Sequence, residues 1–108
     1  MKPALTIENL TDPLTGAPAG GTCNGTGLWI IWQRGPMRTP EGLRPHTGAF
    51  VETVIEAALQ RLRFYQTTQF ACDENDQAII KLCEALHWLH ARTERRRAAG
   101  TEGTYEGA

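Results

Sequence analysis

Two periods of hydrophobic spacing divide this chain. From residue 48 onward, Phe50, Val51, Val54, Ile55, Ala58, Leu59 and Leu62 recur at i, i+3, i+4 spacing, the stripe of an amphipathic helix. The pattern predicts a helix over about 48–66, with Thr47 as its N-cap. After the connector "TTQFACD" (67–73), a second stripe of Ile79, Leu82, Cys83, Leu86 and Leu89 predicts a helix over about 74–98. Asp73 suits its cap, and Glu74 and Asp76 suit its first turn, where the positive end of the helix dipole favours acids. Gly100 ends it. So short a connector makes the two helices antiparallel neighbours.

Upstream the spacing is that of strands. "ALTIENL" (4–10) carries Leu5, Ile7 and, less regularly, Leu10, a short strand; "LWIIWQ" (28–33) is β-branched and aromatic and reads as a buried strand. The two are expected to form an antiparallel pair within a small sheet. Between them "TDPLTGAPAGGTCNGTG" (11–27) is dense in Gly, Pro and Thr and reads as a long loop, which at 17 residues is either mobile or functional. "RGPMRTPEGLRPHTG" (34–48) is turn-rich, and "GTEGTYEGA" (100–108) is a polar tail. The expected fold is α+β in one domain over 1–108: a small N-terminal antiparallel β element with loops (1–46), a long antiparallel two-helix hairpin (47–99) and the tail. At ~1.5 Å per residue the second helix is roughly 37 Å long. A chain of 108 residues buries only about two-thirds of its unfolded surface. Long helices then keep apolar faces uncovered, so an oligomer is expected.

Charge and cysteine content narrow the classes. The formal net charge is −1, which argues against a binder of nucleic-acid polymers, because phosphate contacts need a basic surplus. It leaves room for a local basic pocket. Cys23, Cys72 and Cys83 are odd in number, widely spaced and without a CxxC pair, and read as free thiols in a reducing compartment. The longest strongly apolar run, "LWIIW" (28–32), is far too short to span a bilayer and no signal-peptide core is present. A soluble intracellular protein without a membrane partner is expected.

The local basic surplus is "WLHARTERRR" (88–97), with Arg92, Arg95, Arg96 and Arg97. One reading is favourable pairing with the helix dipole, worth ~0.3–1 kcal/mol per charge. The other rests on spacing: Trp88, Arg92 and Arg96 stand at i, i+4, i+8 and share a face. An indole beside guanidinium forks suits a ligand with a planar base and phosphates, although Trp88 equally suits packing against a neighbouring chain. Cys83, His87 and His90 fall at i, i+4, i+7, but no further ligand at a recognisable spacing completes a zinc site, and no metal is expected. No G-x-S-x-G, P-loop or H-E-x-x-H occurs, and the glycines of 20–27 lack the strand-loop-helix context of a phosphate loop. Binding without catalysis is favoured, and no cofactor is implied. Asn75 reads as local capping, and Phe64, Tyr65 and Phe70 as packing around the connector.

These segments together carry a resemblance. "WQRGPM" (32–37), "VIEAALQRLRFYQ" (54–66), "FACDEN" (70–75), "AIIKLCEALHWLHARTERR" (78–96) and "GTEGTYE" (100–106) stand in the order found in the phage sponge proteins of the Thoeris anti-defence one type, whose helical hairpin is shared with the anti-CBASS two sponges. The similarity covers roughly residues 28–106. It implies a non-enzymatic protein that sequesters cyclic nucleotide immune signals, namely cyclic ADP-ribose isomers or CBASS cyclic oligonucleotides, in the cytoplasm of an infected bacterium. It implies homodimers and commonly hexamers. The arginines of the family's ligand motif correspond to Arg92 and Arg96 around Thr93, and its asparagine to Asn75. Tyr65, Phe64 or Phe70 would stack on the base, and the turn Gly35-Pro36-Met37 would lie near the pocket. Here "RTPEGLRPHTG" (38–48) is longer and richer in proline than the corresponding family segment.

The expected helix adds a constraint of its own. Asn75 and Arg92 are 17 residues apart on one helix, or roughly 25 Å. A small ligand gripped by both groups must lie between two chains crossing head to tail, and a two-fold dimer would supply two equal pockets. The competing class is a helical adaptor that docks a protein partner and has no small-molecule ligand.

Overall fold

A computed structural model describes residues 4–35, 38–39, 42–43 and 47–100. The chain falls into two units, one reaching to Phe50 and the other spanning Val51–Gly100.

In the first unit β1 (Thr6–Thr11), β2 (Pro18–Gly25) and β3 (Leu28–Ile31) form an antiparallel sheet in the order β1-β2-β3. The middle strand lies inside the stretch expected to be a loop, and the two strands expected to pair with each other are each paired to it instead. "PAGGTCNG" has no apolar alternation for a sequence pattern to register. Its strand character is non-local: Ile7 and Ile30 both face Cys23 across the ladders, and Thr6 and Trp29 both face Asn24. Gly21 has φ 137°, and a Cβ there would meet the Glu8 carbonyl oxygen. Glycine therefore lets β1 approach β2 where the register shifts between Asn9 and Thr11.

What remains of the expected loop is two turns. In the first, the Asp12 carboxylate accepts the N–H groups of Leu14 (2.8 Å) and Thr15 (3.1 Å), and the Asp12 N–H donates to the Ala17 carbonyl at 2.8 Å. This is an Asx turn, with Pro13 fixing the next φ. Thr26 and Gly27 make the second. The β3 strand was expected to be buried, yet Trp29 is 76% exposed, and Leu28 and Ile31 are exposed too. A three-stranded sheet buries a face only against a second layer, and the described residues of this unit supply none.

Past β3 the chain returns to its own strand end. Trp32 bridges Ala49 in parallel; Ala49 N–H donates to Ile31 (2.7 Å) and Gln33 N–H to Ala49 (2.9 Å). Gln33 Oε1 accepts the N–H groups of Thr47 (3.0 Å) and Gly48 (3.3 Å). Arg34 N–H donates to Thr47 Oγ1 at 2.8 Å. Thr47 is thus not a helix cap: its hydroxyl is committed to this clasp, and the first helix starts later, at Val51. A Cβ on Gly48 would collide with the Trp32 and Ile31 carbonyls. The short pair β4 (Arg38–Thr39) and β5 (Gly42–Leu43) falls within the segment read as turns.

The second unit is the expected hairpin, α1 (Val51–Tyr65) and α2 (Asp73–Ala98). The helices are antiparallel: Arg63 reaches Cys83 Sγ (3.6 Å) and Gln66 reaches Asp76 (2.7 Å), so partners rise along one helix as they fall along the other. Leu59, 2% exposed, and Leu86, 8% exposed, are the buried hydrophobic residues. Val54, Ile55 and Leu62, with Ile79, Leu82, Cys83 and Leu89, are half-buried around them. Val51 and Ala58, expected in the stripe, are exposed. At the start of α2 the cap position is Cys72, with extended φ/ψ and no side-chain cap bond. Asp73 is instead the first helical residue, where with Glu74 and Asp76 it complements the dipole. Ala99 is the C-cap, and Gly100 follows with φ 74° and its N–H on the Arg97 carbonyl, as the glycine there predicts. Among the described residues no helix is long and apolar enough to cross a membrane.

Candidate ligand site at the ends of the hairpin

The connector end of the hairpin gathers aromatic and amide groups. Phe64 and Tyr65 close α1, their rings 6.3 Å apart and tilted by 50°. The Arg61 guanidinium lies over both, 5.0 Å from the Phe64 centroid and 5.1 Å from that of Tyr65. The i+3 and i+4 spacing on a helix makes this double contact possible. The connector is braced by its own hydroxyls: Thr67 Oγ1 donates to the Phe64 carbonyl (2.7 Å), and Thr68 Oγ1 to the Tyr65 carbonyl (2.6 Å) while accepting the Phe70 N–H (3.1 Å). Phe70 is left 67% exposed.

Gln66 joins this connector to α2. Its Oε1 accepts the Cys72 N–H (3.1 Å) and an Asn75 amide N–H (3.0 Å). Its Nε2 donates to the Cys72 carbonyl (3.0 Å) and to Asp76 Oδ1 (2.7 Å). Asn75 Nδ2 donates its other N–H to the Phe70 carbonyl at 3.1 Å. Asn75 is therefore a bracing residue of the connector as well as a candidate contact.

The far end of α2 is basic. Trp88 is 73% exposed, with the His87 ring edge-on at 5.7 Å. Arg92 is exposed and Arg96 half-buried. Thr93 Oγ1 donates back to the Leu89 carbonyl at 3.2 Å, so its hydroxyl proton is engaged within the helix. Arg97 pairs with Glu94 at 2.8 Å on the exposed surface. Beside this end a groove of about 460 Å³ between the helices is lined by Glu52, Glu56, Leu86 and His90, among others. The acids Glu52 and Glu56 of α1 thus share this groove with His90 of α2.

Of the residues singled out in the sequence, Phe64, Tyr65, Phe70 and Asn75 come together at the connector. Arg92, Thr93 and Arg96 lie more than four helical turns away, and the spacing of Asn75 and Arg92 within one chain stands as expected. Gly35 belongs to the first unit, with φ 70°; Met37 lies outside the described residues. Sequence reasoning passed over Arg61 and Gln66. The i, i+3, i+4 relation of Arg61 to two aromatics was available as a signal; the role of Gln66 depends on connector backbone geometry and had none. Cys23, Cys72 and Cys83 are free thiols. Among the described residues, no group of three or more His, Cys, Asp or Glu could hold a metal ion. Cys83 is instead spent on Arg63.

The fold and these two clusters define a class: α+β proteins in which a small antiparallel sheet precedes a two-helix hairpin with an aromatic–amide end and a basic end. Residues 32–94 match the family described as "Acb2/Tad1, hairpin domain", and the chain belongs to that family. It is 43% identical over 77 residues to a protein of Bacillus phage SBSphiJ7 named "Thoeris anti-defense 1"; the match covers 71% of this chain and 51% of the relative. This chain thus spans about half of that relative's length.

Proposed function

We propose that this chain is a non-enzymatic anti-defence protein that binds a cyclic nucleotide immune signal and keeps it from its effector. The name of the Bacillus phage relative supports the anti-defence role. The signals considered are cyclic ADP-ribose isomers and the cyclic oligonucleotides of CBASS, met in the cytoplasm of the infected host. Arg92 and Arg96 supply forks for phosphate, with Thr93 between them. Tyr65, Phe64 or Phe70 offers a ring for the base, and Asn75 a polar contact beside it. The family resemblance adds Gly35 and Met37 as candidate contacts.

The observation that carries this reading is the separation of the two clusters along α2. Arginine–phosphate contacts and base stacking on one ligand require an aromatic–amide end from one chain and an arginine end from another. On this reading the protein works as a homodimer with pockets between subunits and no cofactor; further assembly into a hexamer is what the family resemblance adds. The thin core of the hairpin, in which Leu59 and Leu86 are the buried hydrophobics, supports assembly as well.

The test is incubation with a mixture of cyclic nucleotides, followed by washing, heating and mass spectrometry of what is released. Return of one nucleotide intact is expected. A chemically altered product means a hydrolase. Failure to retain any nucleotide, with no thermal shift where a ligand at 100 times its Kd adds ~2.7 kcal/mol, means an adaptor and overturns the proposal.

A further inference from the structure

We propose that Gln66 is a positioning residue that turns the Asn75 carbonyl oxygen toward the ligand, and so selects a base carrying an exocyclic amine. The inference rests on the reading that Asn75 contacts a bound nucleotide. Gln66 uses its full hydrogen-bonding capacity: two N–H groups donate, to Cys72 O and Asp76 Oδ1, and Oε1 accepts twice, from Cys72 N and Asn75 Nδ2. The backbone of Cys72 fixes which end of the Gln66 amide is which, because an N–H can only donate and a carbonyl only accept. Oε1 must face the Cys72 N–H, and it then requires a donor from Asn75.

Asn75 is fixed in turn. Its two amide N–H groups go to Gln66 Oε1 at 3.0 Å and to the Phe70 carbonyl at 3.1 Å. Turning the amide over would set Oδ1 against two acceptors. Oδ1 is consequently the atom left for a ligand, and it can only accept. A phosphate oxygen or a base carbonyl has no hydrogen to offer it. The aromatic side chains at this end suit a base held by its face, which leaves the polar edge of that base for Oδ1. An amino-purine, with N–H donors on its edge, matches this requirement.

A cyclic ADP-ribose isomer and its counterpart with hydrogen in place of the 6-amino group separate the possibilities. Calorimetry on the full chain should show the amine-bearing probe binding wild type at least tenfold more tightly, because the counterpart leaves a polar group of the site unpaired. In Gln66→Leu, which keeps the volume and removes the anchor, the ratio should fall below threefold. In Gln66→Glu the second carboxylate oxygen would face the Cys72 carbonyl and the Asp76 carboxylate, both of which need a donor, so the anchor is lost there too and the ratio should again fall below threefold. A purely structural Gln66 would weaken both probes equally in both variants, and that result overturns the inference. So does a wild type that binds both probes alike, which leaves the nucleotide reading standing. A wild type that binds no member of the cyclic nucleotide panel removes that reading and this one with it. Should the variants fail to fold, ¹⁵N spectra of wild type decide. The Asn75 side-chain N–H groups should keep their protection from exchange with water when the amine-bearing probe is added, since both stay hydrogen-bonded to Gln66 and Phe70, and loss of that protection would count against the assignment.

Discussion

Asn75 Nδ2 and Gln66 Oε1, nine positions apart, meet at 3.0 Å across the helical connector. The contact links the residue just after α1 to the first turn of α2, and Asn75 extends it to the Phe70 carbonyl. Asn75 therefore has a stability role that a ligand contact alone would lack. Asn75→Ala removes two hydrogen bonds from a partly exposed connector, so the unfolding free energy should drop by about 1–2 kcal/mol. Urea denaturation reads this as a lower midpoint with an unchanged slope. An unchanged midpoint would mean the network contributes nothing in solution.

Arg92 and Arg96 test the basic end. Charged hydrogen bonds contribute about 1.5–3 kcal/mol each. Replacing both by Ala should therefore weaken cyclic nucleotide binding by at least a hundredfold, while the elution volume on size exclusion stays that of the wild-type assembly. Retained protection of a cyclic nucleotide from its sensor by the double variant would show that these arginines are not the phosphate arms.

Leu59 tests the core. At 2% exposure it is the fully buried large side chain of the described residues. Leu59→Ala should cost about 2–4 kcal/mol, a large share of the stability of so small a domain. Thermal melting by circular dichroism at 222 nm is the measurement, and a fall of only a degree or two would mean that the hairpin draws its stability from elsewhere.

Gly21 tests the sheet. A Cβ at φ 137° would meet the Glu8 carbonyl, so Gly21→Ala should force β1 off β2. Amide hydrogen exchange should quicken across Thr6–Asn9 and leave α2 unaltered. Uniform protection in both segments would show that the strand absorbs the methyl group.

The helices were legible because one stripe of Val54, Ile55, Leu59 and Leu62, and another of Ile79, Leu82, Leu86 and Leu89, each buries one side of a helix. Such periodicity is local and is written in the chain. The β2 strand was not legible, because "PAGGTCNG" gains its conformation from ladders on both edges. The two caps failed for a related reason. Thr47 and Asp73 have the right chemistry for capping, but the Arg34 N–H claims one side chain, and the helix register puts the other inside the first turn. The spacing of Trp88, Arg92 and Arg96 could be read directly, whereas the orientation of Asn75 comes from the backbone of Cys72 and Phe70 and needs the folded connector.

The clasp of Gln33 and Arg34 with Thr47, Gly48 and Ala49 joins the chain to itself on both sides of residues 35–46. Because the two rims are fastened to each other, additions or deletions between them need not re-register β3 or shift the start of α1. Within it the stretch 38–46, beyond the candidate site residues Gly35 and Met37, is thus a natural splice point, where length and composition can drift between related proteins, or a reporter peptide can be grafted, while the elements on either side keep their places.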